Sequence, residues 1–546
     1  MTTQYVGSTL YAAVTQWAAL TAYSVGDLRR QLAAPTTANE RVFRCTTAGT
    51  SGAAEPSWTL TVGATTNDAT AVWTEVTGNA TYSWNAPHAR LQAAVASGWG
   101  STPGDTIYIS DAHAETQSTS LSLVLGGNAA NPMRILCVDD SASPPTALAT
   151  SASISTTGTS PMTLDGFSYI YGLTFNSGSG VVNSSLNLGS TNPLALMFDA
   201  CSLVLRGTGG SSFMVFGASS TSIDDGIFIL NNTTLSFGHV SNTIQTRQPF
   251  FWENTPAALV GATIPTSLFT AGIISGLATI RGVDLSAATS GKSLVLLGVG
   301  FQRYLFENCR LGSSVSITTG THPGQGGPEV DVINCDSADT NYRYVRVRYQ
   351  GTITQETTIV RTGGASDGTT PISRRMVSTA NSKFFSPLVL GPISVWNDTT
   401  GSALTATIQV ITDNVTLTDA ECWLEVEYLG TSGFPLSLCA SDRSANILAT
   451  PANQATSSET WTTTGLTTPV TQALAVTFTP QEKGPIQLRV MLARASTTVY
   501  VCPKVDIAGV VTSPQYQVGN VYINELEPSV GGGVRLHPGM SGGING

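Results

Sequence analysis

Charge is scarce in this 546-residue chain: Lys and Arg number 25 and Asp and Glu 35, together 11%, against about 25% in an average soluble domain. Charge density this low excludes a coiled coil and a charged disordered tail. Lysine occurs only four times and the formal net charge is −10, which argues against nucleic acid as a partner held by a basic surface. Long apolar runs are also missing. Nothing approaches about 18 consecutive apolar residues, so membrane insertion through a helix is not expected. The first residues, Met1-Thr2-Thr3-Gln4-Tyr5, lack a basic stretch followed by an apolar core, so no secretory signal is expected. The eight cysteines, Cys45, Cys137, Cys201, Cys309, Cys335, Cys422, Cys439 and Cys502, form no C-x-x-C pair and have no histidine at zinc spacing. They read as buried free thiols in a chain made in a reducing cytoplasm. His88, His113, His239, His322 and His537 are too dispersed for a metal site, and neither metal nor cofactor is expected.

What remains is rich in Thr, Ser, Ala and Val, with 54 glycines, 26 prolines and 41% hydrophobic residues. That is enough to bury cores, and the length suits three or four domains. Helical signals are nearly absent. The exception runs from Ala86 to Ala96, with Asn85 as N-cap, Pro87 in the first turn and Gly98 just past the end. Elsewhere the chain reads as short strands punctuated by Gly, Asn, Pro and Ser-Gly.

Residues 1–84 form a first unit dense in aromatics. The order Trp17, Tyr23, Gly26-Asp27, Phe43-Arg44-Cys45, Gly49-Thr50-Ser51-Gly52, Glu55-Pro56-Ser57-Trp58, Asp68, Val72-Trp73 resembles the small β-rich modules of the chitin-binding type found in chitinases and in phage tail and surface proteins. That resemblance covers about 60 residues. It implies sugar stacking on exposed rings, for which Trp17, Tyr23 and Trp58 are the candidates. The alternative is that these rings are the core of a tiny domain.

From about residue 100 to 340 the chain repeats. Its hexapeptides begin at Ile170, Phe198, Leu230, Trp252, Ile280, Phe306 and Val332, and their fourth positions step by 28, 32, 22, 28, 26 and 26 residues. A step averaging 27 suits one coil of a three-faced right-handed parallel β-helix. The third position reads Gly172, Ala200, Asn232, Asn254, Gly282, Asn308, Asn334. Six of the seven are Asn or Gly, which enter the left-handed region most readily and can bend the chain between two short strands. Positions one, four and six are mostly apolar and should point inward, with positions two and five outward. The hexapeptide containing Pro256 is the weakest match.

The outward positions alternate in charge. Position two carries Glu253, Arg281 and Glu307 in consecutive coils, and position five carries Asp284, Arg310 and Asp336. With coils stacked about 4.8 Å apart, opposite charges become neighbours, each pair contributing ~0.2–1 kcal/mol. Upstream, Pro103-Gly104-Asp105-Thr106-Ile107-Tyr108-Ile109-Ser110 and Asn131-Pro132-Met133-Arg134-Ile135-Leu136-Cys137 resemble the first coils of pectin-lyase-like β-helix proteins, including phage spikes. The resemblance implies that the short helix caps the open end of the stack.

Beyond about residue 340, strands are expected at 343–349, 405–411, 422–428, 486–492 and 498–502, and an antiparallel β-sandwich from about 385 to 512. A Gly-rich tail follows. The fold expected is all-β: a small module (1–84), a helix-capped parallel β-helix (85–384), a β-sandwich (385–512) and the tail (513–546).

Signs of catalysis are weak. Gly539-Met540-Ser541-Gly542-Gly543 matches a hydrolase nucleophile pattern, but without a preceding strand or a following helix. Paired carboxylates for glycoside cleavage could be Glu253 with Glu307, or Asp284 with Asp336, each pair two coils and about 10 Å apart. An arginine lies between the members of each pair, which suits a salt ladder better than a proton-donating pair. Asp224-Asp225 reads as a turn. The chain is therefore expected not to be an enzyme.

Together these features resemble the virion surface proteins of tailed bacteriophages. The resemblance implies a homotrimer on the virion surface, synthesised in the host cytoplasm, with phage capsid or tail proteins and host surface glycans as partners. The reading taken from the sequence is a capsid decoration or head-spike protein, because no extended polar receptor groove is suggested. A tail spike or fibre that binds host glycans, with or without glycosidase activity, is the alternative.

Overall fold

The computed structural model describes the chain except residues 1–2, 33–39, 97–102, 190–193, 218–225, 272–276, 299–301, 323–326, 340, 363–371, 380–386, 415–416, 419–420, 434–435, 445–459, 509–514 and 518–546. The chain divides into two compact units, Met1–Tyr349 and Gln350–Gly546.

The first unit is built around a parallel β-helix. Strands stack in register on three faces because the sequence returns to the same in–out pattern once per coil. On the first face the inward column runs Ile107, Ile135, Ile170, Phe198, Leu230, Trp252, Ile280, Phe306, Val332, each the register partner of the next. All nine are buried. The second face aligns Ile154, Phe175, Leu203, Leu235 and Leu259. The third aligns Leu121, Met162, Leu186, Met214, Ile244 and Phe269. Rings fill the later coils edge to face, with Phe216–Phe250 centroids 4.8 Å apart and Phe269–Phe306 5.8 Å apart, a geometry worth about 0.5–1.5 kcal/mol per pair beyond burial.

The bend column has a regular physical basis. All seven of its residues have positive φ, from +46° to +74°, Ala200 and the Pro256-containing coil included. The turn is secured on both sides by the coils above and below. Each third-position amide from Gly172 to Asn308 donates to the second-position carbonyl of the next coil, as in Asn308 N–H to Ile333 O at 3.1 Å. Fifth-position amides donate back to the fourth-position carbonyl of the previous coil, as in Arg310 to Val283 at 3.1 Å. At Gly172 a Cβ would lie 2.1 Å from the Ala149 carbonyl oxygen, so glycine is required there.

The fourth position was expected to be mostly apolar. In five of the seven coils it instead holds a hydroxyl or thiol, at Cys201, Thr233, Thr255, Cys309 and Cys335, and these bond backbone carbonyls. Thr233 Oγ1 donates to Phe198 O (3.1 Å), and Cys201, Cys309 and Cys335 Sγ lie 3.5, 3.3 and 3.6 Å from Ile170 O, Ile280 O and Phe306 O. Small side chains with one donor fit where a bend leaves a carbonyl turned inward. Cys45, Cys137, Cys201, Cys309, Cys335 and Cys422 are free thiols, and all six are buried.

Three boundaries differ from the sequence reading. The expected helix over 86–96 is shorter: Ser83–Asn85 is a 3₁₀ turn and the helix begins at Leu91, ending at Ala96. Its start is set by tertiary contact rather than by Asn85, since the Leu91 amide donates to Glu115 Oε2 at 2.9 Å. Leu91, Ala94 and Val95 of this helix join the core of the stack. The N-terminal strand Thr3–Val6 is not part of a separate 1–84 module. It pairs in parallel with Thr106–Ser110 and extends the first face of the β-helix. Parallel pairing ends at Asp336, well before 384. Glu329–Asp336 pairs antiparallel with Asn341–Arg348, which occupies the free edge of the stack.

The second unit is antiparallel. One sheet contains the strands Leu388–Asn397, Gly484–Leu492, Cys422–Gly433 and Leu436–Arg443 in that order. The other joins Gly351–Glu356, Ser373–Ser378, Thr497–Ala508, Leu404–Thr412 and Val470–Phe478. Tyr428 of one sheet meets Phe478 of the other at a centroid distance of 5.0 Å.

Candidate functional site

The N-terminal aromatics lie in a core. Trp17 and Tyr23 are 2% and 4% exposed, packed with Phe43, Cys45 and Trp73. The cluster is organised by one carboxylate: Asp68 Oδ2 accepts from Trp17 Nε1 (2.7 Å) and Trp73 Nε1 (3.1 Å), and Asp68 Oδ1 accepts from the Gly52 amide (2.8 Å). Trp58 is half-buried, stacked on Phe43 at 4.0 Å, with its indole N–H on Glu55 (2.8 Å). A sugar needs a free ring face. The expectation of sugar stacking at Trp17 and Tyr23 is corrected on that ground, because neither presents one.

A polar stripe runs along the β-helix beside the bend column. Asn232, Asn254, Asn308 and Asn334 are exposed at the bend itself. The second-position side chains stand next to them, one per coil. Asp199 Oδ2 accepts from Tyr169 OH (2.8 Å), and its Oδ1 accepts from Asn231 Nδ2 (2.9 Å). Asn231 Oδ1 in turn accepts from Asn254 Nδ2 (3.2 Å). Burial, and then the Asp199 carboxylate it bonds, push the Tyr169 phenol up, which keeps it a donor. Arg281 lies 2.7 Å from Glu307 Oε2 and 3.9 Å from Glu253 Oε1, so the predicted ladder forms on both sides of it. At the fifth position Arg310 reaches Asp284 at 3.4 Å and is in register with Asp336. A shallow recess lined by Asn308, Arg310, Asn334 and Asp336 opens at the far end of the stripe.

A second charged group lies at the last coil and was not singled out from the sequence. Asp331, 1% exposed, takes Arg303 at 2.8 Å, Arg346 at 2.8 Å and Arg348 at 3.8 Å, while Arg348 also pairs with Glu329. The alternation Arg346-Val347-Arg348 was the available signal. It became meaningful only once the antiparallel register set Arg346 opposite Asp331. This buried carboxylate is enclosed by guanidinium groups and reads as a structural clamp.

Asp224-Asp225, the Gly539–Gly543 motif, His537 and nearly all of the Gly-rich tail lie outside the described residues.

No family model and no curated protein matches the chain. Solved structures do. The enzymatically active domain of tailspike protein 4 from Bacteriophage CBA120 aligns at 13% identity over 93% of this chain and 77% of that one, with a TM-score of 0.26. Pantoea stewartii WceF, described as a glycan biofilm modifying enzyme with a bacteriophage tailspike-like parallel β-helix fold, aligns at 10% identity over 93% and 71%, with a TM-score of 0.22. The tailspike protein of Acinetobacter phage vB_ApiP_P1 aligns at 11% identity over 92% and 100%, with a TM-score of 0.22. Two of these three are described as enzymes, which runs against the expectation that this chain is not one. Likeness at this level supplies no substrate and no residue role for this chain.

Proposed function

We propose that the chain is a bacteriophage tail spike whose β-helix binds a glycan of the host surface. One observation carries the reading: the lengthwise polar stripe from Asp199 to Asp336. It spans six coils, about 24–29 Å at the strand spacing, and offers one or more planar amide, carboxylate or guanidinium groups per coil. Such groups bond adjacent sugar hydroxyls in pairs, and the coil repeat is close to the length of one sugar residue. Exposed ion pairs add only about 0–1 kcal/mol each to stability, so their ordered array is better accounted for by what it can bind. The capsid-decoration reading rested on the lack of an extended polar groove. The stripe removes that ground. Surface location and a homotrimeric state, in keeping with a low-charge Thr- and Ser-rich surface, belong to the same proposal; light scattering of the purified chain should give three chain masses.

A second reading, cleavage of the bound glycan, rests on the spacing of Glu253 and Glu307 and not on Arg281, which pairs with both. Two coils separate their backbones by about 10 Å, close to the upper limit of about 9.5 Å for an inverting carboxylate pair. Host polysaccharide incubated with the protein should shorten, and Glu307→Gln should abolish the shortening. Unchanged chain length with wild-type protein refutes cleavage and leaves binding to be judged by retention on the polysaccharide.

A further inference from the structure

The second unit carries a sheet face with an exposed tryptophan. Among the described tryptophans only Trp396 is exposed, at 65%. It sits within a regular strand, Leu388–Asn397, directly opposite Pro485. Residues opposite each other on antiparallel strands share a face, as do alternate residues along a strand. Trp396 therefore shares its face with Pro485, Gln487 and Arg489, and through the next strand with Glu427 and Glu425, the partners of Gln487 and Arg489. The opposite face, with Val395, Ile486, Leu488, Val426 and Leu424, is buried.

The polar groups on this face are held in fixed positions. Arg489 Nη1 lies 2.8 Å from Glu427 Oε2 and 3.6 Å from Glu425 Oε1, and its Nη2 donates to Gln487 Oε1 at 3.0 Å. The ring of Trp396 is tethered by its indole N–H to Asp398 Oδ1 at 3.2 Å and remains largely exposed. From Trp396 to Arg489 the surface extends about 14 Å along the strands, room for two to three sugar residues. A flat ring at one end and three kinds of planar hydrogen-bonding group beyond it provide the two elements of sugar recognition: stacking against the C–H face of a pyranose, and paired bonds to neighbouring hydroxyls.

We propose that this face is a second glycan site, specific for a neutral or N-acetylated oligosaccharide. The class follows from charge. Three carboxylates, Glu425, Glu427 and Asp398, against the one guanidinium of Arg489 leave the patch net negative, which disfavours uronic acids. The proposal rests on the reading of the chain as a glycan-binding spike, but its residues are distinct from those of the β-helix stripe, so the two are separable by experiment.

The test uses the full chain and isothermal titration with four probes: chito-, malto- and galacto-oligosaccharides, and oligogalacturonate. At least one of the first three should bind, and oligogalacturonate should not. Trp396→Ala should weaken that binding about tenfold or more. Trp396→Phe should restore most of it, and Gln487→Ala should weaken it without touching the ring. Equal binding by wild type and Trp396→Ala, preference for oligogalacturonate, or no binding of any neutral probe would each overturn the second site. Loss of host-polysaccharide binding in Arg281→Ala, with the neutral probes bound equally by wild type and Trp396→Ala, would overturn the second site while leaving the spike reading intact. Absence of host-polysaccharide binding by wild type, with neutral probes still bound through Trp396, would overturn the spike reading alone.

Discussion

Replacing Asn308 by valine tests whether the left-handed bend is what shapes the β-helix. Asn308 sits at φ +53° and its side chain is exposed, so little packing is at stake. A β-branched residue in this region pays about 1–2 kcal/mol more than a residue in its preferred basin. If the backbone relaxes instead, the bonds from the Asn308 amide to Ile333 and from the Arg310 amide to Val283, each 3.1 Å, are lost, at about 1 kcal/mol apiece. Both routes lead to a destabilisation of about 2 kcal/mol. The same side chain placed at exposed Thr319 should change stability by less than about 0.5 kcal/mol. Ala200 lies in the same column at φ +51° without an asparagine's preference for it, so Ala200→Asn should stabilise by about 0.5–1 kcal/mol. Hydrogen exchange on peptides covering residues 303–311 and 198–205 reads each effect locally. Equal protection in Asn308→Val and Thr319→Val, or destabilisation by Ala200→Asn, would refute the reasoning.

Other consequences follow from single side chains. His88 is fully enclosed, and burial, with a smaller contribution from Arg41, pushes its pKa down to about 3. The unfolded chain takes up that proton near pH 6.5 and the folded chain does not, so this contribution is complete above pH 6.5 and is lost as pH falls, by about 1.4 kcal/mol per unit. Urea midpoints measured from pH 7 to 4 should show this slope, and His88→Leu should flatten it. Asp68→Ala removes the shared acceptor of two indoles and an amide, and should cost about 3 kcal/mol or more, visible as loss of near-ultraviolet dichroism from the tryptophan cluster. Asp331→Ala strands buried Arg346 and should destabilise the last coil by about 3–5 kcal/mol, read by exchange in residues 329–336. Substitution of Gly172 by Ala drives a Cβ against Ala149 and should lower soluble yield far more than Gly282→Ala, where nothing lies within 3.7 Å.

Much of the β-helix was legible because its signal is periodic. A bend needing positive φ restricts residue choice at one position per coil, and six of the seven positions show it in the letters alone. The charge ladder was legible for the same reason: fixed coil spacing makes neighbours of residues 26–28 apart. The helix start was not, because a glutamate on a distant strand sets it. The strand Thr3–Val6 carries no local mark of belonging to a stack whose next strand begins at residue 106. In the N-terminal module, composition could not separate exposed rings from buried ones; the decision lies in Asp68, which pulls Trp17 and Trp73 inward. The sheet face around Trp396 was equally silent, since Trp396, Gln487 and Glu427 meet only through strand order.

The account turns on whether the polar stripe of the β-helix holds a glycan. Polysaccharide stripped from host cells, immobilised and exposed to wild-type protein and to Arg281→Ala and Asn231→Ala, measures this directly. The account predicts saturable retention of wild type and at least tenfold weaker retention of both variants. Equal retention of all three, or none by wild type, would contradict it.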